Sequence, residues 1–451
     1  MVKNILLKLF LWYIKNLAKL QLRKTKPLII GITGSSGKTS VLNAIEAVLK
    51  ALPNKKISVS HKANSELGLP LHILGITTQD FSIAAWSKIA FKAIWQLLVN
   101  WQPVDIYVAE MGVDSPFAPK NMSYLLSFLK PQIGIFLNAE AVHSEAFDSL
   151  VKEIDQNKKK QAVVHAIAQE KGKLITSLPK NGFAILNRDD SEVSVFSNKT
   201  KAQVLFFGQK NKEDEGAFLI NWQTSFEGTK FIFKQDLKEF SLNFPQHVLP
   251  EQFGLSLAAV FNLAKILGIT QKEAVSALEK NLVNPPGRSS LFQGKNNSYI
   301  LDSTYNASVK PMEMLLELLD KLQAKRKIAV LGDMREMGDE AKQAHLQIAK
   351  KASQIADLII LIGPLMKEYA LPYLEQLNGK PPVYWFSNAH KAADFLLPKI
   401  QPNDCALVKA SQNTLLLEIA VEKLLANPED EKYLCRRGKY WNLQRQKLLN
   451  Q

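Results

Sequence analysis

A chain of 451 residues with 46% hydrophobic composition is long enough for two or three domains, each with its own core, so a multidomain globular enzyme is the starting expectation. Lysine and arginine outnumber aspartate and glutamate by 57 to 42, and the resulting +15 formal charge favours nucleotides, nucleic acid or an acidic membrane surface without choosing among them. The only cysteines, Cys405 and Cys435, match no zinc or redox spacing, which excludes a disulfide framework and points to a reducing cytoplasm.

The first 26 residues contain scattered lysines, and their longest uncharged apolar run, Leu9 to Ile14, is far short of the roughly 20 residues that cross a bilayer. On a helix Lys8, Lys15 and Lys19 fall within roughly 40° of one another, and Leu6, Leu9, Phe10, Tyr13, Leu17 and Leu20 take much of the remaining surface. The segment reads as a basic amphipathic helix, and three readings stay open: interfacial membrane attachment, docking on its own domain, or a disordered leader. Next, the apolar run Pro27 to Ile32 leads into a glycine loop and a helical pattern from Val41 to Leu52. Ala84 to Trp101 reads as a helix with an aromatic face, either packed inside or shared with the N-terminal helix as an interfacial surface.

Short apolar runs recur at Asp105 to Ala109, Gln132 to Leu137, Phe183 to Leu186 and Val204 to Phe207, the earlier ones separated by helix-length stretches as parallel strands require. The breaker cluster Asn284-Pro285-Pro286-Gly287-Arg288 opens a second alternating series, with strands expected at Ser298 to Asp302, Lys327 to Gly332, Leu358 to Gly363 and Ala406 to Val408. The expected class is α/β: a P-loop ATPase-type central domain with a mainly parallel sheet (27–284), then a Rossmann-like α/β domain (285–427). An N-terminal helix (1–26) and a charged C-terminal extension (428–451), an exposed helix or ordered segment, flank them.

The loop GITGSSGKTS has the parts a phosphate cradle needs: backbone N–H groups at a helix start, a lysine for the outer phosphates, and a hydroxyl for magnesium. Gly34, Ser35, Ser36, Gly37, Lys38, Thr39 and Ser40 are therefore the expected nucleotide site, although Ile32 stands where the strict pattern has glycine. A magnesium ion on Thr39 needs further ligands from neighbouring strand ends. Glu110 ends one such strand and His143 follows another, though a lone histidine there is more often a surface or capping residue.

These segments occur together with NSELGLP (Asn64 to Pro70), AEMG (Ala109 to Gly112), LNAEAVHSEAFDS (Leu137 to Ser149), LNRDD (Leu186 to Asp190), PPGR (Pro285 to Arg288), DSTYNAS (Asp302 to Ser308) and VLGDMREMG (Val330 to Gly338). In that order they resemble the Mur ligases, most closely the branch that adds D-alanyl-D-alanine to a UDP-muramoyl tripeptide. The resemblance implies an ATP-dependent amide ligase of peptidoglycan precursor synthesis that works through an acyl phosphate. It implies Lys38 on the outer phosphates, Thr39 and Glu110 on a first magnesium, and His143 on a second. Lys171 falls where the family has a carbamylated lysine that supports the second ion; an unmodified surface lysine is the other reading. Arg288 would reach the phosphates, or be a linker cation. Asp302 and Asn306 would serve the nucleotide, with a turn-forming role as the other reading of Asn306, and Glu66, Tyr305, Asp333 and Lys409 would serve the substrate.

The implied partners are a UDP-muramoyl peptide and a D-Ala-D-Ala-like dipeptide, with no nucleic acid, and a monomer in the cytoplasm, at the inner face of the membrane if the first helix attaches there. Several features depart from the family pattern. Only about 30 residues precede the loop, where relatives carry a UDP-binding domain. Lys152 to Lys160 reads as an insertion, Ser303 replaces an aspartate, Lys409 to Gln412 lacks the family's arginine, and the adenine-side asparagine near Ser256 is not evident. A Mur-type ligase acting on a different or lipid-linked substrate, a P-loop ATPase or kinase, and a nucleotide-binding scaffold are the alternatives.

Overall fold

A computed structural model describes residues 2–449 apart from 62, 79–82, 141–144, 149, 152, 154, 210–214, 336, 338–339 and 412–413. The chain separates into two compact units: residues 1–220, 233–240 and 255–282 form the first, and 221–232, 241–254 and 283–451 the second.

The first unit opens with helix α1 (Val2–Thr25), followed by β1 (Leu28–Thr33), α2 (Lys38–Leu49), β2 (Ile57–Val59), α3 (Gly68–Ile73), α4 (Ile83–Val99) and β3 (Ile106–Glu110). Then come α5 (Met122–Leu126), β4 (Ile133–Phe136), α6 (Glu145–Asp148), α7 (Gln156–Thr176), β5 (Phe183–Asn187) and β6 (Gln203–Gly208). The strands lie in the order β2-β3-β1-β4-β5-β6, all parallel. Every residue of β3 and β4 is buried, which explains their unbroken apolar composition: helices cover both faces of a parallel sheet, so no position faces water. Lys158 to Lys160, in the stretch read as an insertion before the Lys171 helix, belong to that helix, α7, which is capped by Asp155 accepting from the Lys158 N–H.

The sheet continues through β7 (Gly216–Ser225), β8 (Gly228–Gln235) and β9 (Lys238–Pro245). Two-residue connections join these last three, as only antiparallel neighbours allow. Their residues are divided between the two units. No strand was expected here, because lysines and glutamine interrupt the apolar pattern on faces left partly exposed.

The second unit holds a six-stranded sheet in the order β10-β11-β15-β12-β13-β14: β10 (Ser290–Gly294), β11 (Ser298–Ser303), β12 (Arg326–Gly332), β13 (Leu358–Ile362), β14 (Val383–Phe386) and β15 (Asp404–Lys409). Only the β10–β11 pair is antiparallel. Alternate residues of each central strand enter opposite cores, Ala329 and Leu331 on one side and Ile328 and Val330 on the other. The fold is thus α/β throughout, as expected, with short β2, β10 and β14 as additions.

The C-terminal extension is part of the second unit. Leu434 and Cys435 are buried, and Arg436 pairs through Nη1 with Glu418 Oε2 at 2.7 Å while Nη2 donates to the carbonyls of Thr304 and Tyr305 at 2.9 and 2.7 Å. Both charged side chains are almost fully buried, 5% and 0% exposed. Removing one partner leaves the other charge without compensation, so Arg436→Ala will cost about 3–5 kcal/mol. Burial already raises the Glu418 pKa and Arg436 opposes that rise. In the variant the carboxyl titrates higher still, so the folded state binds more protons than the unfolded one over a wider range. The loss in Tm will therefore grow as pH rises above the ordinary carboxylate range and shrink below it, as thermal unfolding across pH will show.

Candidate active site

The order β3-β1-β4 places the C-terminal ends of these strands side by side where the chain changes direction across the sheet, the position at which open α/β sheets bind ligands. From the end of β1 the chain turns through Gly34 (φ 156°) and Gly37 (φ 79°) into α2. A Cβ on Gly34 would stand 3.0 Å from Leu137 Cβ, and the left-handed backbone at Gly37 strains any other residue. The first-turn N–H groups of α2, including that of Ser40, have no acceptor within the helix and carry its positive end. Asn138, the first polar residue after β4, fixes the loop: its Oδ1 accepts from the Ser35 and Ser36 N–H groups, each at 2.9 Å. Lys38 folds back across the loop, Nζ donating to Gly34 O at 2.7 Å and Ser35 O at 3.3 Å. Burial lowers its pKa, and the carboxylates of Glu110, Asp114 and Glu140 oppose that shift.

Thr39 Oγ1 donates to Glu110 Oε2 at 3.1 Å, and Asn64 Nδ2 donates to Glu110 Oε1 at 3.2 Å. The Glu110 N–H donates to Ser60 Oγ at 2.9 Å. A hydroxyl and a carboxylate held together at a strand end are hard oxygen donors suited to magnesium. Lys171, on α7, is not a surface lysine: it is 4% exposed, and its Nζ donates to Val113 O at 3.1 Å in the segment that leaves Glu110. Burial first, and then the charge of Lys38, lower its pKa to about 7, against Asp114 and Glu170. Its side chain therefore stands beside the β3 exit with an amine whose charged form burial disfavours. Glu66, half-buried in the loop before α3, lies near Tyr124, whose phenol is pushed up to about 12 by burial and then by the Glu66 charge. His143 lies outside the described residues.

The second unit gathers its own polar cluster at the C-terminal ends of β11, β12 and β15. Lys409 is buried, and its Nζ donates to Asn306 O at 2.9 Å and Ser303 Oγ at 3.3 Å. Burial, followed by the nearby Arg288 charge, lowers its pKa to about 7, with Asp302 opposing. The Arg288 guanidinium sits 4.5 Å from the ring centre of Tyr305, so it is held by stacking and is not a free linker cation. Asp302 is fully buried and its Oδ1 accepts from the Thr304 N–H and Oγ1 at 3.0 and 2.7 Å, shaping the loop that exposes Tyr305 and Asn306. Asp333 Oδ1 accepts from Met366 N at 2.8 Å, and Ser411 Oγ links Ala307 O to Arg335 N. Asp302 and Asp333 thus hold loops, while Arg288, Tyr305 and Asn306 present atoms to solvent. Gln412 is outside the described residues.

Sequence reasoning missed Asn138, Asn64, Asp114, Ser411 and Arg436. The position of Asn138 as first polar side chain after an apolar strand was a usable signal. The others depend on contacts distant in sequence. Near Ser256, the helix Glu251–Ile266 carries Asn262, but that amide is spent internally, donating to Phe206 O at 2.8 Å.

Comparison with known proteins assigns both domains to one family. Residues 32–252 match the Mur ligase middle domain, and residues 287–412 match the Mur ligase glutamate ligase domain. The chain is 26% identical over 338 residues to the UDP-N-acetylmuramoyl-tripeptide–D-alanyl-D-alanine ligase of Escherichia coli (strain K12), a match covering 74% of this chain and 64% of that enzyme. It is 25% identical over 407 residues to the enzyme of the same name from Buchnera aphidicola, covering 89% of this chain and 78% of the relative. The fold is shared with the crystal structure of the MurF ligase from Thermotoga maritima in complex with ADP (TM-score 0.71, 22% identity, 93% of this chain and 84% of that one). It is shared as well with MurF from Acinetobacter baumannii (TM-score 0.72, 19% identity, 92% and 80%). With both domain matches in order and a phosphate loop, strand-end glutamate and buried lysine arranged as described, the chain belongs to the Mur ligase family of ATP-dependent peptide ligases.

Proposed function

We propose that this chain joins a D-alanyl-D-alanine-like dipeptide to the terminal carboxylate of a UDP-muramoyl tripeptide. The similarity to enzymes named for that reaction is what carries the choice of substrates, and the bond between Thr39 and Glu110 beside Lys38 supports its ATP-dependent step. In the reaction, the substrate carboxylate takes the γ-phosphoryl group of ATP and ADP leaves. The dipeptide amine then attacks the acyl carbon, forming the C–N bond and losing a proton as the C–O bond to phosphate breaks.

Thr39 and Glu110 would hold magnesium, which when bound supplies charge neutralisation on the transferring phosphoryl group. The chain's own groups do the rest. The α2 amides and Lys38 receive the phosphate oxygens, and Asn138 keeps the loop in the shape that presents them. Carbamylated Lys171 would present a carboxylate where the free side chain has an amine. Arg288 would add a cation to the phosphates, and Glu66, Tyr305, Asn306 and Lys409 would orient the substrates.

Phosphate release by the purified chain tests the reading. With ATP, magnesium, UDP-muramoyl tripeptide and D-Ala-D-Ala, release will require both the tripeptide and the dipeptide. Release indifferent to the dipeptide overturns it in favour of an ATPase, and a phosphorylated product formed without phosphate release overturns it in favour of a kinase. A lipid-linked acceptor is the second reading, favoured by the packing of α1 on α3, the helix that follows the Asn64–Leu67 loop. It predicts release with a lipid-linked muramoyl peptide and none with the UDP form.

A further inference from the structure

Helix α1 docks on the first unit with only one face. Phe10, Leu11, Ile14, Ala18 and Gln21 are buried, spaced as one stripe of a helix. Phe10 stacks on Trp86 of α4 with ring centres 5.0 Å apart, and Tyr13 Oη donates to Ala90 O at 3.1 Å. Lys24 Nζ donates to the Leu97 and Asn100 carbonyls, each at 2.7 Å, placing a cation at the negative end of α4. The two helices are therefore fixed to each other, so α1 is docked on its own unit, and each helix keeps an outward face.

The outward faces are apolar and aromatic. Leu9 and Trp12 on α1 are 58% and 61% exposed, and Phe91, Trp95, Leu98 and Trp101 on or just after α4 are 57–74% exposed. Scattered exposed apolar residues are ordinary, but large aromatics gathered on two paired helices are not. Charge identifies what would cover them. Helix α1 carries six lysines and arginines, α4 carries two, and neither contains aspartate or glutamate; the first acidic residue of the chain is Glu46. No described helix is long and apolar enough to cross a membrane.

We propose that the outward faces of α1 and α4 form a peripheral docking surface for a bilayer with anionic headgroups. Trp12, Phe91, Trp95 and Leu98 enter the boundary between headgroups and acyl chains, while Lys8, Lys88 and Lys92 stay among the headgroup phosphates. A second copy of the chain is a poor occupant, since a twofold contact would bring Lys8, Lys88 and Lys92 together with their own counterparts and neither helix has an acidic residue to pair them. An anionic lipid surface satisfies the aromatic and the cationic requirement together.

The test is co-sedimentation of the full chain with vesicles of phosphatidylcholine, alone or mixed equally with phosphatidylglycerol. Binding to the mixed vesicles, weakened by high salt, is expected. Combined Trp12→Ser, Phe91→Ser and Trp95→Ser will lower it at least about tenfold, whereas combined Lys8→Gln, Lys88→Gln and Lys92→Gln will abolish the preference for anionic vesicles. These side chains are exposed, so unchanged thermal unfolding checks that each variant folds. Should the aromatic variant not fold, brominated lipid in the same vesicles will quench the tryptophan fluorescence of the unaltered chain. The proposal is overturned if the unaltered chain does not sediment with mixed vesicles, if the aromatic substitutions leave binding unchanged, or if lipid-borne bromine fails to quench. Self-association abolished by the same substitutions, without vesicle binding, would assign the face to a second copy instead.

Discussion

Lys38→Ala will reduce ligation by about a thousandfold, because the lysine lays its charge across the loop that receives the phosphates. Its Nζ donates to the Gly34 and Ser35 carbonyls, within the loop itself. Charge is what the substitution removes. The loop itself is held by Asn138 and by the glycine conformations, so its shape and the thermal stability of the chain will change little. A second effect follows from Lys171, whose pKa the Lys38 charge helps to lower. With Lys38 gone that pKa rises, so the residual activity will reach its half-maximum at higher pH than in the unaltered chain. Phosphate-release rates measured across pH check both parts. A variant that keeps its rate to within a few-fold would remove Lys38 from the reaction, and an unmoved pH profile would remove its coupling to Lys171.

The sequence made the phosphate loop and its flanking strands easy to find for a physical reason. Parallel strands buried on both faces must be apolar without interruption, so β1, β3, β4, β12 and β13 stand out as short runs that end in glycine or a functional residue. Strands β7 to β9 follow the opposite rule. Lys230, Lys234 and Glu239 take the outward positions between buried Phe231, Phe233, Leu242 and Phe244, so these strands alternate and offer no unbroken apolar run, and the hairpin connections are too short to act as punctuation. Glu110 was legible because it closes an apolar run. The hydrogen bonds that orient it, from Asn64 and to Ser60, were not, because they join segments about 50 residues apart in the chain.

Burial is the other quantity that sequence conceals. Lys171 and Lys409 look like ordinary surface cations among neighbours of mixed polarity, yet tertiary packing strips both of water. The same holds for Arg436, which reads as one of several charges in a terminal extension and proves to be one side of a buried ion pair. Helix α1 shows a finer case. Its lysine stripe was visible in the periodicity, but which of the remaining apolar residues dock and which face outward depends on α4, a helix some 60 residues further along.

Lys171→Met is expected to separate stability from activity. The folded-state pKa is about 7, well below the value of about 10.4 for lysine in an unfolded chain. Between those values the unfolded chain binds more protons, so stability rises with pH through that window. Near neutrality the buried amine therefore costs stability, on the order of a few kcal/mol. Methionine fills similar space without that cost, so the Tm of Lys171→Met at pH 7 will equal or exceed that of the unaltered chain. Activity will fall by about two to three orders of magnitude if the lysine acts as its carbamate. The neutral amine attacks carbon dioxide, forming an N–C bond and losing a proton, and the resulting anion takes the place of that amine near Val113, at the exit of β3. Carbon dioxide removal will lower the rate of the unaltered chain, bicarbonate will restore it, and Lys171→Met will respond to neither. Isotopically labelled bicarbonate gives an independent readout, a carbamate carbon resonance present in the unaltered chain and missing from the variant. Full activity in Lys171→Met, or a rate in the unaltered chain indifferent to carbon dioxide, would leave the buried lysine as a costly structural residue and exclude it from the chemistry.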